Sequence, residues 1–503
     1  MTGLQQVHVR VNTAAMGQPT PVRLRVTDAE GRYYAPFGRL EQFATGANQD
    51  VGGQVLLGGK PWAYIDGACE IALPPGRLHV SVSKGPEYRP LECAVDLTAG
   101  KLSLRFQIER WTDLRREGWH SGDTRVHYLP PHAALLEAQA EDVAVVQLLA
   151  RLTQIRDSFG KAQSAAPNLL AFSGQAPCLQ APGCLVVVNT ENFHPELGSL
   201  GLLHCHRIVF PLTFGGPDDA EDWTLEDWCG QCHRKNGLVV WTRTLHEGAD
   251  FDFGEPLVDL LLGQVDAFEL DHYEDSPFDA LALWYDLLRI GLRVPLAGAS
   301  GKDGNGIALG TMRTYIHESE GQEVTCHGWI ESLRNGRSFV TNGPLLSFAV
   351  DGRLPGEVVT PAAERVQIRA QARSLTPFDA LEIICDGKVI AAASPTGEPA
   401  AATLEIETPI TTSGWLAARC RGQATVFHRP ANQRLFAHTS PVYVEVPGQP
   451  MQPSAKVAVR FAEEVERMIV WCQTKARCRT PQGRERLLAG FVKARERLQA
   501  IAK

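Results

Sequence analysis

The sequence has no apolar run long enough to cross a bilayer. Its longest, such as "LVDLLLG", falls far short of the ~20 residues a spanning helix needs. The opening stretch "MTGLQQVHVRVNTAAMGQPTPVRLRV" alternates in polarity and lacks an apolar h-region, so no signal peptide is expected. A cytoplasmic protein with no membrane partner follows as the expectation. A basic excess is also missing: net charge is -8, with acids and bases mixed along the chain. Binding to phosphate backbones needs a basic face, so nucleic acid is not an expected partner. The 12 cysteines show no framework spacing, which argues for reduced, buried thiols rather than a disulfide scaffold. A serine-hydrolase elbow, a Walker loop and a Rossmann glycine pattern are all lacking. "GASGKDGNG", from Gly298 to Gly306, has glycines and a lysine without the phosphate-loop spacing and reads as a loop.

What is present is ordinary globular material. The 503 residues are 44% hydrophobic and 21% charged, enough for about three domains. Residues 1–108 read as a β-sandwich, because "VRLRV", "LHVSV" and "LSLRF" alternate with period two and turn signals separate them. Residues 112–345 change character. Uniformly apolar strands ("VAVV", "LVVV", "LVVW", "VPLAG") alternate with helical patterns, which predicts parallel strands joined by crossover helices. Several such units in a row favour a barrel, with the functional groups at the carboxyl ends of its strands. Residues 346–447 return to alternation, with a hairpin at Asp386-Gly387, and predict a second sandwich.

Residues 454–503 read as a helical tail. Phe461, Val465, Met468 and Cys472 share one face, and Leu487, Phe491, Ala494 and Leu498 share another. This tail is expected to dock on the body of the protein or to mediate a homo-oligomer. "WCGQCH" (Cys229, Cys232, His233) has the spacing of covalent haem attachment. Its setting, "TLEDWCGQCHRKNG", has a threonine cap, an acidic first turn and a glycine stop, so an ordinary helix is the expectation.

"GWHSGDTRVHYLPPHAALLEAQAEDVAVVQLLA", "NTENFHPELGSLGLL", "NGLVVWTRT", "LRIGLRVPLAGASGKDG" and "LRNGRSFVTNGPLLSFAVDG" follow one another in an informative order. Over residues 60 to 355 the chain resembles the CehA/McbA family of PHP-like metallohydrolases. The resemblance implies an α/β architecture plus all-β parts: a PHP-like distorted β/α barrel flanked by two β-sandwiches and followed by the helical tail. It also implies divalent metal at the barrel mouth and hydrolysis of ester, carbamate, amide or phosphoester bonds. Imidazole and carboxylate ligands hold such a metal, which lowers the pKa of a bound water and makes it a nucleophile.

Matched position by position, the resemblance keeps three ligands and changes four. His127, Glu191 and His194 remain. Arg125, Ser199, Arg243 and Gly301 stand where ligands are expected, with Asp303 two residues beyond the last. Arginine has no lone pair to give and stays protonated. The expectation is a degraded site that holds no metal or one weakly bound Zn or Mn, in a weakly active protein or a pseudoenzyme kept for ligand binding or scaffolding. The alternative is an active hydrolase with a reduced, mononuclear site on His127, Glu191 and His194. Arg125 and Arg243 are expected in the mouth with Asp123 and Asp303. There they either pair with carboxylates or leave a guanidinium fork for a small anionic ligand.

Overall fold

The computed structural model describes the chain except for residues 1–2, 47–51, 157–160, 216–219, 222, 243–249, 272–276, 319–322, 363 and 426–433. Near the amino terminus, a four-stranded and a five-stranded sheet share one core. The alternation produces it: Val7, Val9 and Val11 turn inward from Gln5–Thr13, and Leu24 and Val26 turn inward from Val22–Asp28.

A long mixed sheet follows. Its order runs from Leu296–Ala299 through Ala267–Asp271, Leu238–Trp241, Gly198–Leu203, Cys184–His194 and Val145–Ala150 to Trp119–Val126. Beyond that come Arg313–His317 and Ser338–Thr341. The sheet curls until its first strand faces its later ones. Gly298 N donates to Thr314 Oγ1 at 2.6 Å, and Thr314 Oγ1 donates back to Gly298 O at 3.1 Å. The apolar strands do pair in parallel at four places, but Gly198–Leu203 runs antiparallel to both its neighbours. The reason is loop length. Strand Cys184–His194 ends four residues before Gly198, too short a span for a crossover helix, so a hairpin forms.

The sheet does not stop at residue 345. Ser338–Thr341 pairs with Arg434–Thr439, which continues through Gly414–Thr425 and Ala380–Cys385 to Lys388–Ala393. A three-stranded sheet of Leu345–Val350, Arg365–Ser374 and Ala400–Pro409 packs over this extension around Phe348, Ile368, Ile383 and Leu416. The hairpin turns at Asp386 and Gly387, both at positive φ (48° and 80°), as a two-residue primed turn requires.

Helix α1 (Pro131–Ala140) covers one face of the curled sheet. Helices α2 (Leu225–Arg234), α3 (Glu255–Leu261), α4 (Pro277–Arg289) and α5 (Cys326–Arg334) precede the tail helices α6 (Ala455–Thr474) and α7 (Pro481–Ala502). Helix α2 is the "WCGQCH" segment. Thr224 and Asp227 form a reciprocal capping box, and Cys229 and Cys232 are fully buried, as an ordinary helix would have them. In the tail, Thr480 caps α7 through Gly483 N, with Pro481 as its first residue. The eight apolar tail residues named above are all buried, in one cluster with Trp228, Phe251, Leu257 and Leu261. Those faces are therefore spent within the chain. An oligomer through the tail would have to use its other faces, which expose Val459 and Val470. Buried Glu464 fixes the docking: its Oε1 accepts from Asp252 N at 2.5 Å and Phe253 N at 2.8 Å. Among the described residues no helix is long and apolar enough to cross a membrane.

Phe461 is fully buried where tail and body meet. Phe461→Ala should lower unfolding free energy by about 3–5 kcal/mol in denaturant titration. A loss below about 1 kcal/mol would mean the tail does not pack tightly.

Candidate functional site

Strand Trp119–Val126 is buried along its whole length and ends at the mouth of the curled sheet. Its pairing with Val145–Ala150 shifts register between Asp123 and Val126. An irregularity of this kind turns neighbouring side chains toward one target. Arg125 Nε lies 2.6 Å from Glu269 Oε1, and Thr124 Oγ1 donates to Glu269 Oε2 at 2.7 Å. Both members of the ion pair are buried, with side chains 5% and 1% exposed. Glu269 comes from Ala267–Asp271, several strands away in the sheet. It was missed in the sequence, although a glutamate inside "AFELD" is the kind of buried charge that demands a partner.

Asp123 is saturated by backbone donors. Its Oδ1 accepts from Ser300 N at 3.0 Å and Arg125 N at 3.3 Å, and its Oδ2 from Gly310 N at 2.8 Å. Burial still pushes its carboxyl pKa up, against these bonds. It thus pins the 300–310 loop to the strand end. Gly301 sits in that loop at φ +58°. Asp303 is half-buried there and makes no hydrogen bond to the other mouth residues. The loop's lysine, Lys302, is fully buried and donates to Gly304 O at 3.0 Å and Ile307 O at 2.9 Å. Arg243 lies outside the described residues, as do His246 and Glu247.

His127 and Glu191 meet. Nε2 of His127 is 2.9 Å from Oε2 of Glu191, yet the angles are not those of a hydrogen bond, and neither atom has a hydrogen-bond partner. Burial drives the His127 pKa down to about 4, against the attraction of Glu191, so the ring is neutral at neutral pH. Burial pushes the Glu191 carboxyl up, but Arg151, Arg125 and His127 outweigh it and hold the group below its ordinary range. Arg151 Nη1 lies 3.5 Å from Glu191 Oε2, and its guanidinium covers the Phe193 ring. Thr242 Oγ1 donates to Glu191 Oε1 at 3.1 Å and lies 2.8 Å from Ser199 Oγ. Ser199 therefore supports Glu191 through a threonine.

His194 is not in this cluster. Glu191 and His194 are three apart on one strand and point to opposite faces. His194 Nδ1 accepts from Glu196 N at 3.0 Å and Leu197 N at 2.8 Å, while Nε2 faces Glu221 Oε2 at 2.5 Å. Both ring nitrogens are spent on folding a turn. The cleft expected for His127, Glu191 and His194 contains the first two alone.

Two atoms here could face a cation, His127 Nε2 and Glu191 Oε2. Among the described residues a third ligand is wanting: Asp123 is tied to backbone N–H groups, His194 is on the far face, and Arg125 and Arg151 add fixed positive charge. Among the described residues no three His, Cys, Asp or Glu side chains gather into a shell. The donors among the described residues do not by themselves make a shell for a tightly held, resident metal. No protein-family model and no curated protein matches the chain.

The depressed His127 pKa carries a sign. A histidine that titrates lower when folded than when unfolded contributes stability above the unfolded pKa (about 6.5), lost as pH falls toward about 4. Between pH 7 and 5 the wild type should lose on the order of 1–2 kcal/mol more than His127→Gln in paired denaturation curves. Parallel curves would show that His127 is not held neutral by burial.

Proposed function

We propose that this chain is a PHP-like metallohydrolase homologue whose metal site has been replaced by a guanidinium–carboxylate lattice. In this reading it is catalytically weak or inactive and serves as a ligand-binding or scaffold protein. One observation carries the reading: the buried Arg125–Glu269 pair at the place where the resemblance puts a metal ligand. A guanidinium offers no lone pair, yet it supplies the positive charge that the surrounding carboxylates need. Arg125 is engaged by Glu269, so the mouth favours internal neutralisation over capture of a small anion by that residue.

A second reading has its own support in the unbonded approach of His127 Nε2 to Glu191 Oε2. Two such ligands, completed by water, could hold one divalent ion in a reduced mononuclear site. Elemental analysis of protein purified without chelator or added metal separates the two. The lattice reading expects well under one Zn or Mn per chain and no metal-stimulated ester or phosphodiester hydrolysis. One tightly held ion per chain, lost in His127→Ala, would establish the mononuclear reading instead.

A further inference from the structure

Only three arginines among the described residues are buried: Arg23, Arg125 and Arg313. Arg23 Nη1 faces Glu141 Oε1 at 2.5 Å, and Arg125 faces Glu269. Arg313 has no carboxylate. Its Nε donates to Gly310 O at 2.8 Å and its Nη1 to Glu141 O at 3.0 Å, and it makes no ion pair. A buried guanidinium balanced by carbonyl dipoles alone is an expensive arrangement, and one that an anion would relieve.

Arg313 lines a cavity of about 160 Å³ where the amino-terminal sandwich, the curled sheet and the carboxy-terminal sandwich meet. A single water needs about 10–15 Å³, so there is room for a small organic molecule. Pro86, Tyr88 and Leu309 give the cavity an apolar wall. Ser374 and Thr376 line it as well. Ser374 Oγ accepts from Thr376 N at 3.1 Å, which leaves its own hydrogen to donate, and the Thr376 hydroxyl is not engaged within the chain. With two of its nitrogens tied to carbonyls, Arg313 presents Nη2 from a fixed position. The neighbouring Arg23–Glu141 pair is internally neutral, so the cavity carries the uncompensated charge of Arg313.

We propose that this interdomain cavity binds a small oxyanion, a carboxylate or phosphate, carried on a short apolar body. The oxyanion would accept from Arg313 Nη2 and the Ser374 and Thr376 hydroxyls, with its apolar part against Pro86, Tyr88 and Leu309. The proposal does not rest on the reading of the mouth; metal analysis bears on that reading and leaves this one untouched.

Calorimetric titration of the full chain with benzoate, benzamide and inorganic phosphate tests it. Benzoate should bind at millimolar concentration or better, and the neutral amide at least about tenfold more weakly. Binding of phosphate in place of benzoate would assign the site to a phosphorylated ligand instead of a carboxylate. Arg313→Lys keeps the charge but loses the planar fork and should weaken binding about tenfold. Because Arg313 also ties two backbone segments, Thr376→Trp provides a second variant. It fills the cavity from a half-buried rim position and should abolish binding without unfolding the chain. Absence of binding by both anions, or binding unchanged in Thr376→Trp, would overturn the proposal.

Discussion

A guanidinium without solvent needs its donors met and its charge balanced, and at the mouth of this sheet Glu269 does both for Arg125. Each charge alone would be costly to bury. Together, with Thr124 on the second carboxylate oxygen, they form a satisfied unit joining strands that are not neighbours in the sheet. The net energy of such a pair against an apolar substitute is small, but removal of one partner strands the other. The pair therefore helps to fix the curl of the sheet. Around it, Asp123 holds the 300–310 loop through backbone donors, and Glu191 is balanced by Arg151, Thr242 and the neutral ring of His127.

The mouth stands on a scaffold with little freedom to rearrange. The curled sheet passes without interruption into the carboxy-terminal sandwich, and Phe461, Met468, Leu487 and Phe491 of the tail seal the helices on its outer side. A close-packed interior transmits strain rather than absorbing it. Of the other donors at the mouth, Asp123 is held by backbone N–H groups and His194 by a turn, so only His127 Nε2 and Glu191 Oε2 stand without hydrogen bonds among the described residues named there.

Much of this was legible in the sequence where one physical signal dominated. Period-two alternation located the first sandwich through "VRLRV", "LHVSV" and "LSLRF". Helical spacing marked both buried faces of the tail, and Asp386-Gly387 marked the hairpin of the second sandwich. The threonine cap and acidic first turn marked helix α2. The antiparallel Gly198–Leu203 was missed, because a doubly buried strand reads the same in either direction. Within the mouth, the resemblance named Arg125 but could not name Glu269, which is distant in sequence and lies in no matched ligand block. His194 is different: strand parity with Glu191 puts it on the other face of Cys184–His194. Arg313 was invisible, since nothing local distinguishes an arginine paired to a carboxylate from one facing a cavity.

Arg125 and Glu269 form one buried unit at the mouth of the sheet. A double-mutant cycle with Arg125→Met and Glu269→Leu measures that most directly. If the pair is real, each single variant strands a buried charge or a polar shell and costs about 3–5 kcal/mol, while the double variant recovers much of the loss. The coupling energy should then be at least about 2 kcal/mol. Additivity within about 0.5 kcal/mol would mean the two residues do not sense each other, and the account of the mouth would fail.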